Sequence, residues 1–503
     1  MGIVFRQSVK TSIVTFSGAF LGGLIIWLST NYLSKQQFGF TKNFTNWAVS
    51  ACSLLYLGTA NALIVFIHKY ENDDRKRKLL ITLCLAVPFI AIAITSLVYF
   101  LCRTRILAHF HAEDLPLMRQ YFTWLPLYTF LFSFMSILEY YLGTQMKVAI
   151  SAFMREVVIR ILTIILIVLF AANYISFPDF VIGSIVIYAV PIVIFLLIAR
   201  KTKGFGFSFR VRDFSKKEYK EMAHFSWYHL LLVVTIMFMG TMDVLMLPFY
   251  DKAGLSSVAI YSVAVFIIAF LQIPYKAMYT ATFAVLAQAF TNNDIAKAKD
   301  IFKRSSINIL IATTGVSLLI FCNMENAVAV IKNGYGEIAP VFGILLIGRL
   351  ADLSTGMNDS VLTITNYYKF NVYISSVLLV LLFLSLRFFI PIYGVYGAAW
   401  STTITLVVFN IAKYIFVWKK LDMQPYTPKT LLVILAGLPA LAAGYFMPHF
   451  FNQVRHIYIH AFLDTAVRTI VIIIVYFGML LWLKPSVDLE EYIALIKKEK
   501  RLF

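Results

Sequence analysis

Runs of about twenty or more apolar residues recur along the whole chain, separated by short polar or basic stretches. An α-helix needs roughly 20 apolar residues to cross about 30 Å of hydrocarbon. Inside a bilayer every backbone N–H and C=O must be satisfied within the protein, and a helix does this by itself. Such runs fall at 11–33, 44–67, 79–101, 118–143, 148–172, 179–199, 222–249, 257–280, 305–330, 338–361, 371–391, 395–418, 429–449 and 462–483. The spacing predicts an all-α, polytopic membrane protein of about 14 transmembrane helices. Within the nearly continuous run from 371 to 418, Pro391 and Gly394 mark a tight turn. The first run follows Arg6 and Lys10, is too long for a signal-peptide core and is expected to stay as the first span. With 60% hydrophobic and 14% charged residues, against about 45–50% and 25% in soluble domains, the chain cannot cover itself with polar surface.

Basic residues give the orientation. With fourteen spans both termini share one side, and the segments on that side hold 30 of the 44 Lys and Arg residues, against 9 opposite. The positive-inside rule then puts both termini in the cytoplasm. Asn72 and Ser215 are expected inside, and Asn333 and Asn452 outside. The same loops account for the net charge of +19, which suits anionic lipid headgroups and needs no nucleic acid.

The longest polar connection, 201–221, divides the chain. It separates an N-terminal six-helix lobe, 1–200, from a C-terminal six-helix lobe, 222–420, and 421–503 adds two helices and a basic tail. Each block starts on the cytoplasmic side, as in parallel transporter repeats. The second and eighth spans are both followed by basic clusters, at 68–78 and 291–304. The fifth-to-sixth and eleventh-to-twelfth connections are both short turns with proline, Pro178 and Pro391. No segment between spans is long enough to form a folded domain, and no phosphate-binding glycine loop is present, so a gradient rather than ATP would drive any transport. Cys52, Cys84, Cys102 and Cys322 have no metal or redox spacing, and no cofactor or metal is expected.

Several stretches resemble the polysaccharide-transport flippases of the multidrug/oligosaccharidyl-lipid/polysaccharide exporter superfamily. Pro391–Thr403 is similar to their eleventh-to-twelfth turn, and Tyr32–Gly39 to the turn after their first span. Asp243–Leu247 with Val258–Ser262 is similar to their seventh-to-eighth junction. Thr355–Asn358 with Asn366–Phe370 is similar to their tenth-to-eleventh region. The resemblance implies a V-shaped pair of lobes around a central cavity, alternating access, and a lipid-pyrophosphate-linked saccharide as substrate. It also implies a bacterial cytoplasmic (inner) membrane location and a role in polysaccharide biosynthesis. The partners expected are that lipid-linked saccharide, membrane lipids and a proton or sodium gradient.

Charges within spans are the candidate site, because each costs at least about 2.5–3.5 kcal/mol at a helix centre unless it is wet or paired. The basic ones are Arg160, Lys276, Arg349, Lys413 and Arg468; the acids are Glu139, Glu156, Asp243, Asp352 and Asp359. A diphosphate would want cations near a central cavity, and Lys276, Arg349 and Arg160 are the candidates. Lys276 follows Pro274 and has no acid at helical spacing. Glu156–Arg160 and Arg349–Asp352 stand at i,i+4 and i,i+3, so a local pair competes with a cavity role for each. Asp243, Glu156 and Asp352 are the ion-coupling candidates, although Asp243 also sits where it could cap a helix end. Lys413 is expected to snorkel toward the cytoplasm. Arg468 is expected to snorkel or to pair with Asp464. His224 and His229 open the seventh span, where either could titrate. Two alternatives to a flippase stay open: a multidrug or organic-cation exporter of the same superfamily, and a membrane polymerase, ligase or glycosyltransferase acting on lipid-linked sugars. The last would want a large external loop, and the longest, about 102–117, is short.

Overall fold

A computed structural model describes residues 2–202, 204–331, 334–365, 367–449 and 456–491. Lys203, Lys332, Asn333, Asn366, Asn452, Arg455 and the basic tail 497–501 lie outside the described residues. By contacts the chain separates into two compact units, Met1–Ala259 and Ile260–Phe503.

In the first unit run α1 (Gly2–Tyr32), α2 (Lys35–Leu55), α3 (Thr59–Lys69), α4 (Asp74–Leu101), α5 (Arg103–Leu107), α6 (Leu115–Tyr121), α7 (Trp124–Thr144) and α8 (Val148–Phe153). A π-helical turn, Met154–Val158, joins α8 to α9 (Ile159–Ala171), followed by α10 (Phe177–Val186), α11 (Ala189–Arg200) and α12 (Lys216–Tyr250). Helix α13 (Leu255–Ala269) crosses the division. The second unit continues with α14 (Gln272–Thr291), α15 (Ile295–Cys322), α16 (Met324–Ala329), α17 (Ile338–Ser354), α18 (Asn358–Ile364), α19 (Tyr368–Leu421), α20 (Pro428–Tyr445) and α21 (Ile457–Leu483).

Among the described residues nine helices are long and apolar enough to cross a bilayer, and three bent pairs raise the number to twelve. Those pairs are α2 with α3 (47°), α13 with α14 (41°) and α17 with α18 (45°). Two further lengths complete the expected fourteen. One is the run 148–171 through the π turn. The other comes from α19, whose 54 residues would extend about 80 Å if straight. It kinks at Gly394, with φ 57° and ψ −134°. A Cβ on Gly397 would lie 2.2 Å from the Phe389 carbonyl oxygen, eight residues earlier. In a continuous helix those residues would be about 12 Å apart, so the chain doubles back here, as the Pro391–Gly394 signal predicts.

Serine caps fix several helix starts. Ser34 with Gln37, Ser176 with Asp179 and Ser215 with Glu218 form capping boxes. The Ser34 cap starts α2 nine residues before the expected span. Lys42, expected in an external loop, is therefore inside the helix and half-buried, its ammonium 5.6 Å from the Phe38 ring centroid. The first unit's core packs α3, α4, α7 and α11 around residues such as Leu63, Phe66, Leu138, Tyr141 and Phe195. In the second unit Phe302, Met357, Val361 and Val417 form one core and Ala436, Ala440, Ile472 and Tyr476 another.

Candidate functional site

The first unit gathers charges from four elements. The π turn carries Arg155 and Glu156 on one local distortion of the helix, a geometry found often at functional positions. Arg155 pairs with Glu139 of α7 and also faces the Phe132 ring, 5.9 Å from its centroid. The count of basic residues put it with the cytoplasmic connection, although the expected span 148–172 contains it. The structure places it in the span because α8, the π turn and α9 form one continuous rod. Arg160 pairs with Glu156 on its own helix and also donates to the carbonyl oxygen of Gly18 in α1. That contact needs a residue without a side chain: a Cβ at Gly18 would lie 2.6 Å from Glu156 Oε2. Lys42 of α2 stands within electrostatic range of Arg160. Among the described residues two ion pairs, Arg155–Glu139 and Arg160–Glu156, thus stand close along one helical rod, and Lys42 is a further basic side chain within α2.

The second unit holds a matched network. Arg349 donates to Asp352 at 2.9 Å. Asp352 also accepts from Asn410 Nδ2 at 3.0 Å, and Thr355 Oγ1 donates to Asn410 Oδ1 at 3.3 Å. Lys413 does not snorkel. It is 1% exposed, pairs with Asp359 of α18 and lies 3.4 Å from the Phe409 ring centroid. The fold-back at Gly394 returns this part of α19 along α17 and α18, and the carboxylate there holds the cation in the interior.

The remaining candidates lie on α14, α12 and α21. Lys276 is the fifth residue of α14, just after the 41° break from α13, and its side chain is exposed. No ion pair reaches it among the described residues. Asp243 is buried within α12 and accepts from the Val244 N–H at 2.8 Å. Arg468 pairs with Asp464 at 3.1 Å, as one of the two expectations had it, and also donates to Gly444 O at 2.6 Å. His224 and His229 line a cleft with Lys69, Glu221 and Tyr228. Among the described residues no three His, Cys, Asp or Glu side chains converge as metal ligands. Sequence reading missed Lys42 and Arg155 as charges within helices of the spans. The Ser34–Gln37 capping box was the available signal for Lys42, and the apolar run 148–172 was the signal for Arg155.

This is a multi-pass helical membrane protein with ion pairs built into its spans, and its fold is shared with solved transporters. Lipid II flippase MurJ in an inward closed conformation aligns with TM-score 0.71 and 16% identity, over 94% of this chain and 100% of that one. An inward-facing multidrug resistance MATE family transporter of the MOP superfamily aligns with TM-score 0.63 and 14% identity, over 83% of this chain and 98% of that one. A MOP superfamily transporter from Pyrococcus furiosus, described by the reverse polarity of its binding pocket, aligns with TM-score 0.52 and 14% identity, over 83% and 96%. No curated protein matches the chain. The family model described as polysaccharide biosynthesis protein matches residues 4–290, and the chain belongs to that family.

Proposed function

We propose that this protein moves a lipid-linked oligosaccharide from the cytoplasmic to the outer leaflet of a bacterial inner membrane by alternating access. In this reading it makes and breaks no covalent bond, and both termini are cytoplasmic. Lobes 1–200 and 222–420 are parallel repeats joined by 201–221, and 421–503 adds two helices. The repeat is supported by the break that recurs in the second and the eighth span, α2–α3 and α13–α14.

One observation carries the substrate class: Arg155 and Arg160, paired with Glu139 and Glu156, with Lys42 inside α2 as a further basic side chain among the described residues. A diphosphate carries about two negative charges. A unit charge pair at 4 Å contributes about 4 kcal/mol at an effective dielectric near 20, so one or two fixed cations offset much of the desolvation cost. Lys276, exposed at a helix break and without an ion pair among the described residues, is the further cation for the headgroup, with Arg349 and Arg160 held ready by their carboxylates. Family membership and the shared fold support the reading, and a proton or sodium gradient acting through Asp243, Glu156 or Asp352 would drive it.

The test is reconstitution into vesicles with a fluorescent lipid-pyrophosphate saccharide. Lys276→Ala should slow translocation by about tenfold or more, the equivalent of about 1.4 kcal/mol. Lys276→Arg should retain more activity than Lys276→Glu. Normal transport by Lys276→Glu would remove this residue from the site. Transport of an organic cation dye, with none of the saccharide lipid, would replace the reading by that of a multidrug exporter.

A further inference from the structure

The connection from α11 to α12 runs back along α4. After Gly204, set against the Arg77 side chain, Gly206 lies against Lys78. The backbone N–H of Ser208 then donates to Thr82 Oγ1 at 2.9 Å. The segment therefore climbs along α4, from residue 77 to residue 82. Thr82 is eight residues from the helix start at Asp74, about 12 Å along the axis, and three residues past Leu79, where the apolar stretch of α4 begins. The chain then returns. Tyr219 donates to the Val211 carbonyl at 2.9 Å, and Phe214 is buried with its ring 5.1 Å from that of Tyr70.

The tip of this excursion is apolar and uncovered. Phe205 packs into the core against Tyr141, but Phe207 is 53%, Phe209 82% and Val211 59% exposed. Arg210 and Arg212 alternate with them and are exposed as well. Between 200 and 220 the sequence has eight basic residues against Asp213 and Glu218, and Glu218 is held by Lys76 at 2.8 Å. Aromatic and aliphatic side chains interleaved with arginine, at the depth where hydrocarbon begins, match the chemistry of a lipid interface. A soluble partner protein would have to reach the same side chains through the headgroups.

We infer that 204–213 is an interfacial anchor: Phe207, Phe209 and Val211 insert at the headgroup–acyl boundary of the basic-loop leaflet, and Arg210 and Arg212 bind anionic phospholipid headgroups. The anchor ties the end of α11 and the start of α12 to the membrane surface. The inference is independent of which substrate is carried.

Spin labelling tests it on the full chain in vesicles. A nitroxide is placed at Phe209→Cys in a Cys102→Ser background, where the remaining native thiols Cys52, Cys84 and Cys322 are buried. A second label at Lys217→Cys, exposed in the first turn of α12, is the aqueous reference. Phe209 touches little protein, so its replacement leaves the fold intact. Collisions with oxygen should exceed those with a water-soluble nickel chelate at 209, and the order should reverse at 217. In vesicles of about one-third phosphatidylglycerol, thermal stability should exceed that in phosphatidylcholine alone, and Arg210→Ala/Arg212→Ala should remove at least about half of the difference. Each arginine near an anionic surface is expected to change headgroup affinity by about fivefold. A label at 209 as accessible to the chelate as that at 217 would overturn the anchor and leave the aromatic tip to a soluble partner. Equal lipid dependence in the double variant would overturn the headgroup contact.

Discussion

Asp359→Asn removes the counter-ion from a lysine that has no route to water. Lys413 is 1% exposed, while the Asp359 side chain is 49% exposed. Breaking a buried ion pair from one side costs about 3–5 kcal/mol, because the remaining charge stays desolvated. The Phe409 ring, 3.4 Å from the ammonium, stays in place in both forms and so leaves the difference unchanged. Water also screens the half-exposed carboxylate, so the lower end of the range applies. The net expectation is a loss of about 3 kcal/mol, or roughly 150-fold in the unfolding equilibrium. Lys413→Met on the same background should restore most of it, since an apolar side chain of similar length often replaces a buried pair without loss. The assay is denaturant titration in mixed micelles of both single variants and the double variant. Equal stability of Asp359→Asn and Asp359→Asn/Lys413→Met would show that the lysine is not a buried charge, and the argument would fail.

Gly18→Ala should cost about 1–3 kcal/mol by overpacking and slow transport, because its Cβ would meet Glu156 and push Arg160 off the Gly18 carbonyl. Gly240→Ala, with nothing within 4 Å of its Cβ, should be neutral or slightly stabilising in the same titration. The hydrogen bond from Lys299, 2.6 Å away, holds the Asp422 carboxyl below the usual carboxylate range. Its contribution is therefore present above the unfolded-state value near pH 4 and is lost as pH falls through the lowered folded value. Wild type should exceed Asp422→Asn in thermal stability at neutral pH, and the two should converge in strong acid. A membrane-impermeant thiol reagent added outside should miss cysteines at Asn72 and Ser215 and reach those at Asn333 and Asn452. External labelling at Ser215 would reverse the orientation.

What the sequence determined by itself follows from short-range geometry and from the solvent. The bilayer makes every long apolar run a helix, so the number and order of spans could be read directly, including the fold-back at Pro391–Gly394. Pairs three or four residues apart were legible for the same reason: Glu156–Arg160, Arg349–Asp352 and Asp464–Arg468 share a helix face whatever the helix packs against. Only the tertiary structure decided the pairs that join different helices. Lys413 meets Asp359 across 54 positions, Arg155 meets Glu139 across 16, and Arg160 reaches Gly18 across 142. Those contacts depend on how each helix is rotated about its axis and where it bends. Inside a bilayer the apolar pattern loses much of its power to fix that rotation, because lipid and protein interior are alike to a leucine. The course of 204–208 along α4 was hidden for a related reason: a polar, basic stretch reads as a solvated loop until the hydrogen bond from Ser208 to Thr82 shows where its backbone runs.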